Sequence, residues 1–383
     1  MNYKEIFNQY STPLYLFDID KLKQRIKYLR SQLPKEVKLC YAVKANTFII
    51  REIIEDIDRF EICSPGEADI CLKQGVPEEK MVISGVYKTP DFIEKLILEH
   101  PHIGIYTIES LEQYHLLNQL SQKYKIKLNT LIRLTSGNQF GLDKKDIQII
   151  IEEQPYLNIL GLQFFSGTQK TSLKKLKREI NYIDTYITEL KESFNIQELE
   201  FGPGFPVHYF EDQEFDEDNY LKEFTNLLDE MQNKQEITLE LGRSIAASCG
   251  TYFTKVVDMK CNKKENYAIV DGGIHHITYY GQTLAIKVPK HEMIPTRSDD
   301  ESQNWNICGS LCTVNDILIK QLPINHLQIG DIIAFKNTGA YCCSEGISLF
   351  LSRDLPSIVL CKNNDNYILA RKAIPTSDMN TLK

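Results

Sequence analysis

The sequence predicts an α/β chain, a closed (β/α)8 barrel of TIM type followed by an all-β domain, on three observations. Short apolar runs of strand length recur at residues 37–43, 60–63, 81–84, 103–107, 128–134, 159–165, 199–201 and 237–240. Amphipathic segments of helical length lie between most of them, at 65–74, 90–99, 110–123 and 172–191. Beyond Gly250 the long helical spacing stops, and β-rich runs follow at 252–257, 267–270, 331–335 and 358–360. Strand and helix in regular alternation form a barrel of parallel strands, because each helix covers the connection back to the next strand. The expected boundaries are 20–248 for the barrel, with 249–383 and the N-terminal segment 1–19 making the β-rich domain through a strand at residues 12–17.

Taken in chain order, the strands end in polar residues. Lys44 follows the first run, within YAVKAN (residues 41–46), and Ser64 follows the second. Arg133 closes the fifth, Thr168 follows the sixth, Gly202 to Gly204 follow the seventh, and Glu240 and Arg243 end the eighth. In a barrel of this class the carboxyl face builds the site and the opposite face supplies stability. A lysine alone is as readily a solvated surface charge, but in a partly desolvated pocket its amine loses a proton easily enough to act as a Schiff-base nucleophile. Glycines at 202 and 204 let backbone N–H groups approach a phosphate, although Gly-Pro-Gly alone also makes an ordinary turn. Glu240 alone also fits a solvent-facing loop position.

Composition narrows the classes. The hydrophobic fraction of 42% is that of a globular chain, and its 383 residues accommodate two domains. A formal charge of −8 argues against nucleic acid as a partner. The opening residues Met1-Asn2-Tyr3-Lys4-Glu5 carry no apolar leader and no later run is long enough to span a bilayer, so a cytoplasmic protein with no membrane association is expected. Ten cysteines without regular spacing fit reduced, mostly buried thiols. Cys308 and Cys312 lack a histidine pair spaced for zinc, so no metal site is expected. The acidic stretch 211–219 reads as a solvated loop.

Five short strings in fixed order then carry a resemblance that spans nearly the whole chain. YAVKAN, FGPGFP (201–206), ELGR (240–243), CTVND (312–316) and GAY (339–341) resemble motifs of the fold-type III pyridoxal-phosphate enzymes, which share the alanine racemase-like fold and include diaminopimelate, ornithine and arginine decarboxylases. The resemblance implies that Lys44 holds pyridoxal 5′-phosphate as a Schiff base. It places Gly202, Gly204, Thr168 and Arg243 around the phosphate, Glu240 on the pyridine nitrogen and Tyr341 by the cofactor. It makes Cys312 the proton donor of a homodimer with shared active sites. Glu61, Glu67 and Arg133 match positions near the lysine and the substrate. A carboxylate on the ring nitrogen keeps it protonated and makes the ring a strong electron sink, which favours decarboxylation over the racemisation associated with an arginine there.

Departures from the pattern bear on the substrate. Phe165 stands where the family has a ring-stacking histidine, and Gln139 where diaminopimelate decarboxylases carry a lysine. Ile274, His275 and His276 follow Asp271-Gly272-Gly273, where those enzymes place a carboxylate-binding arginine, and Thr313 replaces an acid that binds the distal amine. His276 and Thr313 thus become candidate substrate contacts of a different kind. The pattern is closer to the branch that decarboxylates amino acids in secondary metabolism, including those tethered to a carrier protein. The expected function is pyridoxal-phosphate-dependent decarboxylation of an amino acid, free or carrier-linked. The alternatives are a true diaminopimelate decarboxylase, an amino-acid racemase of the same fold and a non-enzymatic pyridoxal-phosphate-binding protein.

Overall fold

The computed structural model describes residues 3–297, 302–363 and 366–382. Met1 and Asn2, the start of the stretch read as having no apolar leader, lie outside the described residues. The chain divides into two compact units, one of Ile26–Pro206 with Asp216–Ile245, the other of Met1–Arg25, Val207–Phe215 and Ala246–Lys383.

In chain order the strands begin with β1 (Leu14–Asp18), which belongs to the β-rich unit. The next eight, β2 (Lys38–Ala42), β3 (Arg59–Ile62), β4 (Met81–Ile83), β5 (Ile105–Ile108), β6 (Asn129–Arg133), β7 (Asn158–Phe165), β8 (Glu198–Gly202) and β9 (Glu236–Leu241), close a barrel. All of its pairings are parallel, and β9 returns to β2 with Cys40 opposite Glu240. The strands fall within a few residues of the apolar runs.

Helix starts follow local chemistry. Ser64, Thr89, Ser110 and Ser172 each accept a backbone N–H in the first turn of the helix that follows, and Pro65 and Pro90 occupy first positions where no N–H is needed. These helices are Pro65–Gln74, Pro90–Glu99, Leu111–Tyr124 and Leu173–Leu190.

The barrel register stacks inward side chains in layers from alternate strands. Cys40, Val82 and Leu131 share one layer with Glu200, and Glu61, Thr107, Gln163 and Glu240 form the next. A charged residue at position 200 therefore sits inside the barrel, fully buried.

The acidic stretch 211–219 is a largely exposed turn and loop as far as Asp216, and only its last three residues depart from the sequence reading by starting a helix. Asp216 accepts the Asn219 N–H at 3.0 Å and caps a helix, Glu217–Asp229, whose Tyr220, Leu221, Phe224 and Leu228 are buried. Carboxylates in its first turn favour the positive helix terminus, so Asp216, Glu217 and Asp218 start a helix while Glu211, Asp212 and Glu214 stay in the loop. Residues 207–215 also pair rather than dangle: Phe210 bridges Pro289, and Lys290 donates its N–H to Tyr209 O at 2.8 Å.

In the other unit, β1 joins β10 (Gly250–Asn262), β11 (Glu265–Val270), β12 (His291–Ile294), β13 (Ser302–Cys308), β14 (Ile317–Asn325), β15 (Ile332–Lys336), β16 (Ser357–Lys362) and β17 (Asn366–Arg371) in one sheet. β1 lies between β10, antiparallel, and β16, parallel. Its Leu14 and Leu16 pack with Ile6, Phe253, Ile332, Ala334 and Val359. Strand β14 escaped the sequence reading because Lys320, Gln321 and Pro323 interrupt its pattern; it ends the strand order, where a proline costs no ladder bond. All ten cysteines are free, but burial is less general than expected: Cys261 and Cys312 are exposed, and Cys63, Cys308 and Cys343 are half-buried.

Candidate active site

Lys44 lies in a 3-10 turn, Val43–Ala45, immediately after β2. Asn46 fixes the following turn by accepting the Phe48 N–H at 2.9 Å. The Lys44 amine donates to Glu61 Oε2 at 2.6 Å and lies 3.5 Å from Glu240 Oε1 and 3.6 Å from Cys63 Sγ. Its side chain is 38% exposed while those of Glu61 and Glu240 are 4% and 7% exposed, so the amine faces an opening and its acidic partners lie beneath it. The two carboxyls are driven apart. Burial works to raise Glu61, but the Lys44 charge and hydrogen bonds from Cys63 and Lys44 hold it below the ordinary carboxylate range. Burial and then the charge of Glu61 push Glu240 upward.

The remaining rim is a polar lattice. Arg133 donates to Glu109 Oε2 at 2.7 Å beneath the Phe140 ring, 4.7 Å from its centroid. Lys88 is buried and donates to Gly85 O at 2.7 Å, Gln113 Oε1 at 3.0 Å and Thr107 Oγ1 at 3.3 Å; burial lowers it to about 8. Gln163 bonds Ser84 and Glu200. Cys63, Lys88, Glu109, Gln163 and Glu200 were not singled out by the sequence reading. Counting by twos inward along the strands reaches Gln163 from Phe165 and Glu200 from Gly202, a signal present in the sequence; Lys88 lies in a loop and has none.

A cradle forms where Thr168, Gly202, Gly204 and Arg243 meet. Arg243 Nε donates to Thr168 Oγ1 at 3.3 Å. Gly204 has a left-handed φ of 65°, and a Cβ there meets Gly167 O at 2.2 Å; a Cβ on Gly202 meets the Phe165 ring at 2.4 Å. Only glycine permits this approach of the two loops. The Lys170 N–H donates to Gly204 O at 2.9 Å, and Glu179 anchors the same loop through Lys170, at 2.7 Å, and Ser166. A guanidinium, a hydroxyl and close-set backbone suit a phosphate, and an amine flanked by two buried carboxylates suits an aldehyde-bearing cation, so these residues fit pyridoxal phosphate.

Other candidates are placed differently. Glu67 Oε2 accepts the Cys63 N–H at 2.6 Å, spending that oxygen on the backbone beside the helix start. Gln139 is exposed on the loop after β6. Cys312, Thr313, His276 and Tyr341 belong to the β-rich unit. Asp316 fixes the cysteine loop by accepting the Leu311 and Ile274 N–H groups, each at 2.8 Å. His276 is buried with Nδ1 3.1 Å from the Tyr252 hydroxyl and Nε2 2.8 Å from Asp354 O. Tyr341 adopts a left-handed φ of 64°.

Comparison with known proteins gives the family. Residues 19–247 match the family model described as the pyridoxal-binding domain of pyridoxal-dependent decarboxylases. The chain is 26% identical to an L-glutamyl-(BtrI acyl-carrier protein) decarboxylase of Niallia circulans, over 97% of this chain and 93% of that protein. It is also 26% identical to a diaminopimelate decarboxylase of Vibrio cholerae, over 96% and 92% of the two chains. Its fold superposes on diaminopimelate decarboxylase from Helicobacter pylori complexed with L-lysine with a TM-score of 0.85 at 24% identity, covering 99% and 98% of the respective chains. No helix among the described residues is long and apolar enough to cross a membrane.

Proposed function

The chain belongs to the pyridoxal-dependent decarboxylases, and on that premise we propose that Lys44 is the cofactor-holding lysine of an amino-acid decarboxylase whose substrate lacks a charged distal end. The observation that carries the site assignment is the Lys44 amine set between Glu61 and Glu240. When bound, pyridoxal phosphate supplies an aldehyde for the substrate amine and a ring that accepts electrons as the carboxyl group leaves.

The chain's own residues supply the rest. Thr168, Arg243 and the backbone of Gly202 to Gly204 would hold the phosphate. Phe165 offers an apolar face without a proton to give. Glu240, buried beneath the amine, would face the ring nitrogen and favour its protonated form, and Glu61 accepts a hydrogen bond from the Lys44 amine at 2.6 Å and orients it. Cys312, contributed across a dimer interface, delivers the proton that replaces the carboxyl group. The β-rich unit that carries Cys312 also exposes apolar Val314, Leu349, Phe350 and Leu351, which favours burial against a second copy. A carboxylate at position 240 speaks for decarboxylation against racemisation.

Substrate choice rests on the charged groups missing from the positions that the resemblance assigns to substrate contact. No arginine follows Asp271-Gly272-Gly273, Thr313 carries no charge, and His276 spends both ring nitrogens within its own unit. Leaving a charged distal ammonium or carboxylate unpaired costs about 1–3 kcal/mol per group, or roughly ten- to a hundredfold in specificity. A carrier-tethered amino acyl group, which ends in a thioester, avoids that cost, and the relative from Niallia circulans is named for such a substrate. Carbon dioxide release across free diaminopimelate, ornithine, lysine, arginine and glutamate and their carrier thioesters tests the reading. Preference for a thioester is expected; efficient conversion of diaminopimelate to lysine overturns the substrate assignment alone.

A further inference from the structure

Among the buried carboxyl groups that the proposed reaction does not use, Glu200 lacks a dedicated ion-pair partner among the described residues. Glu200 is fully buried in the layer below Glu240. The cations around it are committed elsewhere: Arg59 makes a two-pronged pair with Glu198 at 2.9 and 2.7 Å, Arg133 pairs with Glu109, and Lys44 lies between Glu61 and Glu240. Glu200 Oε1 accepts from Gln163 Nε2 at 2.7 Å, but Glu200 Oε2, Gln163 Oε1 and Thr238 Oγ1 are buried without a hydrogen-bond partner among the described residues.

The orientation of the Gln163 amide is dictated by its neighbours. Nε2 also donates to Ser84 Oγ at 3.3 Å, and Ser84 lies 3.3 Å from Thr107 Oγ1, which accepts from Lys88 at 3.3 Å. With Nε2 committed to Glu200 and Ser84, the amide oxygen is left buried with no donor. An ionised Glu200 leaves both acceptors orphaned and buries a charge without a cation, each costly in a dry interior. A proton on Oε2 supplies the missing donor and removes the charge in one change.

We propose that Glu200 is a neutral carboxylic acid in the working enzyme, a positioning residue whose proton pairs with the Gln163 amide and leaves the negative charge of the barrel floor on Glu240. The role rests on the reading of Glu240 as the ring-nitrogen partner. An ionised Glu200 raises the cost of keeping Glu240 ionised as well, and a protonated Glu240 no longer holds the ring nitrogen in its charged state. The groups facing Glu200 are Glu240 and Thr238 from β9, Gln163 from β7, Arg59 and Glu61 from β3 and Cys40 from β2. Burial first, then the charge of Glu240, push the Glu200 carboxyl up to about 8, with Arg59 opposing.

Isotope-edited infrared spectroscopy of protein carrying 13C-labelled glutamate tests this in the cofactor-free and the loaded forms. At pH 6.5 the wild type is expected to show a protonated-carboxyl C=O band that disappears in Glu200→Gln, persists in Glu240→Gln, and fades in the wild type as pH rises through about 8. Gln163→Leu removes the acceptor of that proton and is expected to shift the band, which keeps the test decisive if Glu200→Gln folds poorly. Absence of any band lost in Glu200→Gln and shifted in Gln163→Leu overturns the proposal. Failure of the cofactor to attach at Lys44 instead overturns the site reading and leaves the protonation result standing.

Discussion

The Lys44 amine lies 2.6 Å from Glu61 and 3.5 Å from Glu240, so a single cation is shared by two buried carboxylates from opposite sides of its strand, β3 and β9. Docking of a cofactor aldehyde on that amine leaves the carboxylates to serve separate purposes. On the proposed reading Glu61 would stay with the amine and Glu240 would meet the ring nitrogen.

Glu240→Gln keeps size and loses the charge. It is expected to bind cofactor at Lys44 yet lower kcat by about 10²–10³-fold, the range for removing one preorganised charge-stabilising group. Cofactor absorbance and carbon dioxide release measured on the same preparation check this. An unchanged kcat assigns the ring nitrogen to another partner.

Gly204→Ala places a Cβ 2.2 Å from Gly167 O at a φ of 65°. The loop must move away from Thr168, and the loss of one or two charge-assisted contacts weakens cofactor binding by about ten- to a hundredfold. Titration of the cofactor-free protein reads the affinity, and far-ultraviolet circular dichroism is expected to be unchanged.

The barrel was legible because both of its periodicities appear in the sequence: strand runs such as 159–165 are apolar with few interruptions, and Pro65 and Pro90 mark helix starts at the residues where they occur. Lys44 and Arg243 were legible because they stand just beyond strand ends, and Glu240 because it stands at the carboxyl end of its strand. The helix Glu217–Asp229 was hidden because its capping and first-turn residues are acidic, and composition at that point outweighs spacing. The lattice below the rim was hidden for a different reason. Whether Gln163 and Glu200 touch depends on the parallel register of β7 and β8, a long-range pairing that neither strand encodes alone.

His275 lies against His276, ring centroids 3.7 Å apart, with both of its ring nitrogens buried and unpartnered among the described residues. Burial, followed by the nearby His276 and Arg353, lowers it from 6.5 to about 3. The unfolded chain thus takes up a proton that the folded chain refuses, and the stability this histidine permits at neutral pH is lost as pH falls from 6.5 towards 3. Thermal denaturation of His275→Phe is expected to show a shallower acid loss than wild type, by up to about 1.4 kcal/mol per pH unit in that window. Parallel curves for the two proteins contradict this.

Lys44→Ala and Cys312→Ala are each expected to be inactive, and mixing the two after subunit exchange is expected to restore part of the activity, because one hybrid site regains both groups. Affinity capture through a tag carried by only one variant, with the untagged variant detected in the eluate, verifies exchange. No recovery in exchanged dimers removes Cys312 from the shared site.

The central claim is that Lys44 holds the cofactor, and borohydride reduction followed by peptide mass spectrometry tests it most directly. The account predicts a pyridoxyl-phosphate adduct on the peptide containing Lys44, absent from Lys44→Ala protein that retains the wild-type circular dichroism. An adduct on Lys88 or any other lysine, with Lys44 unmodified, would contradict it.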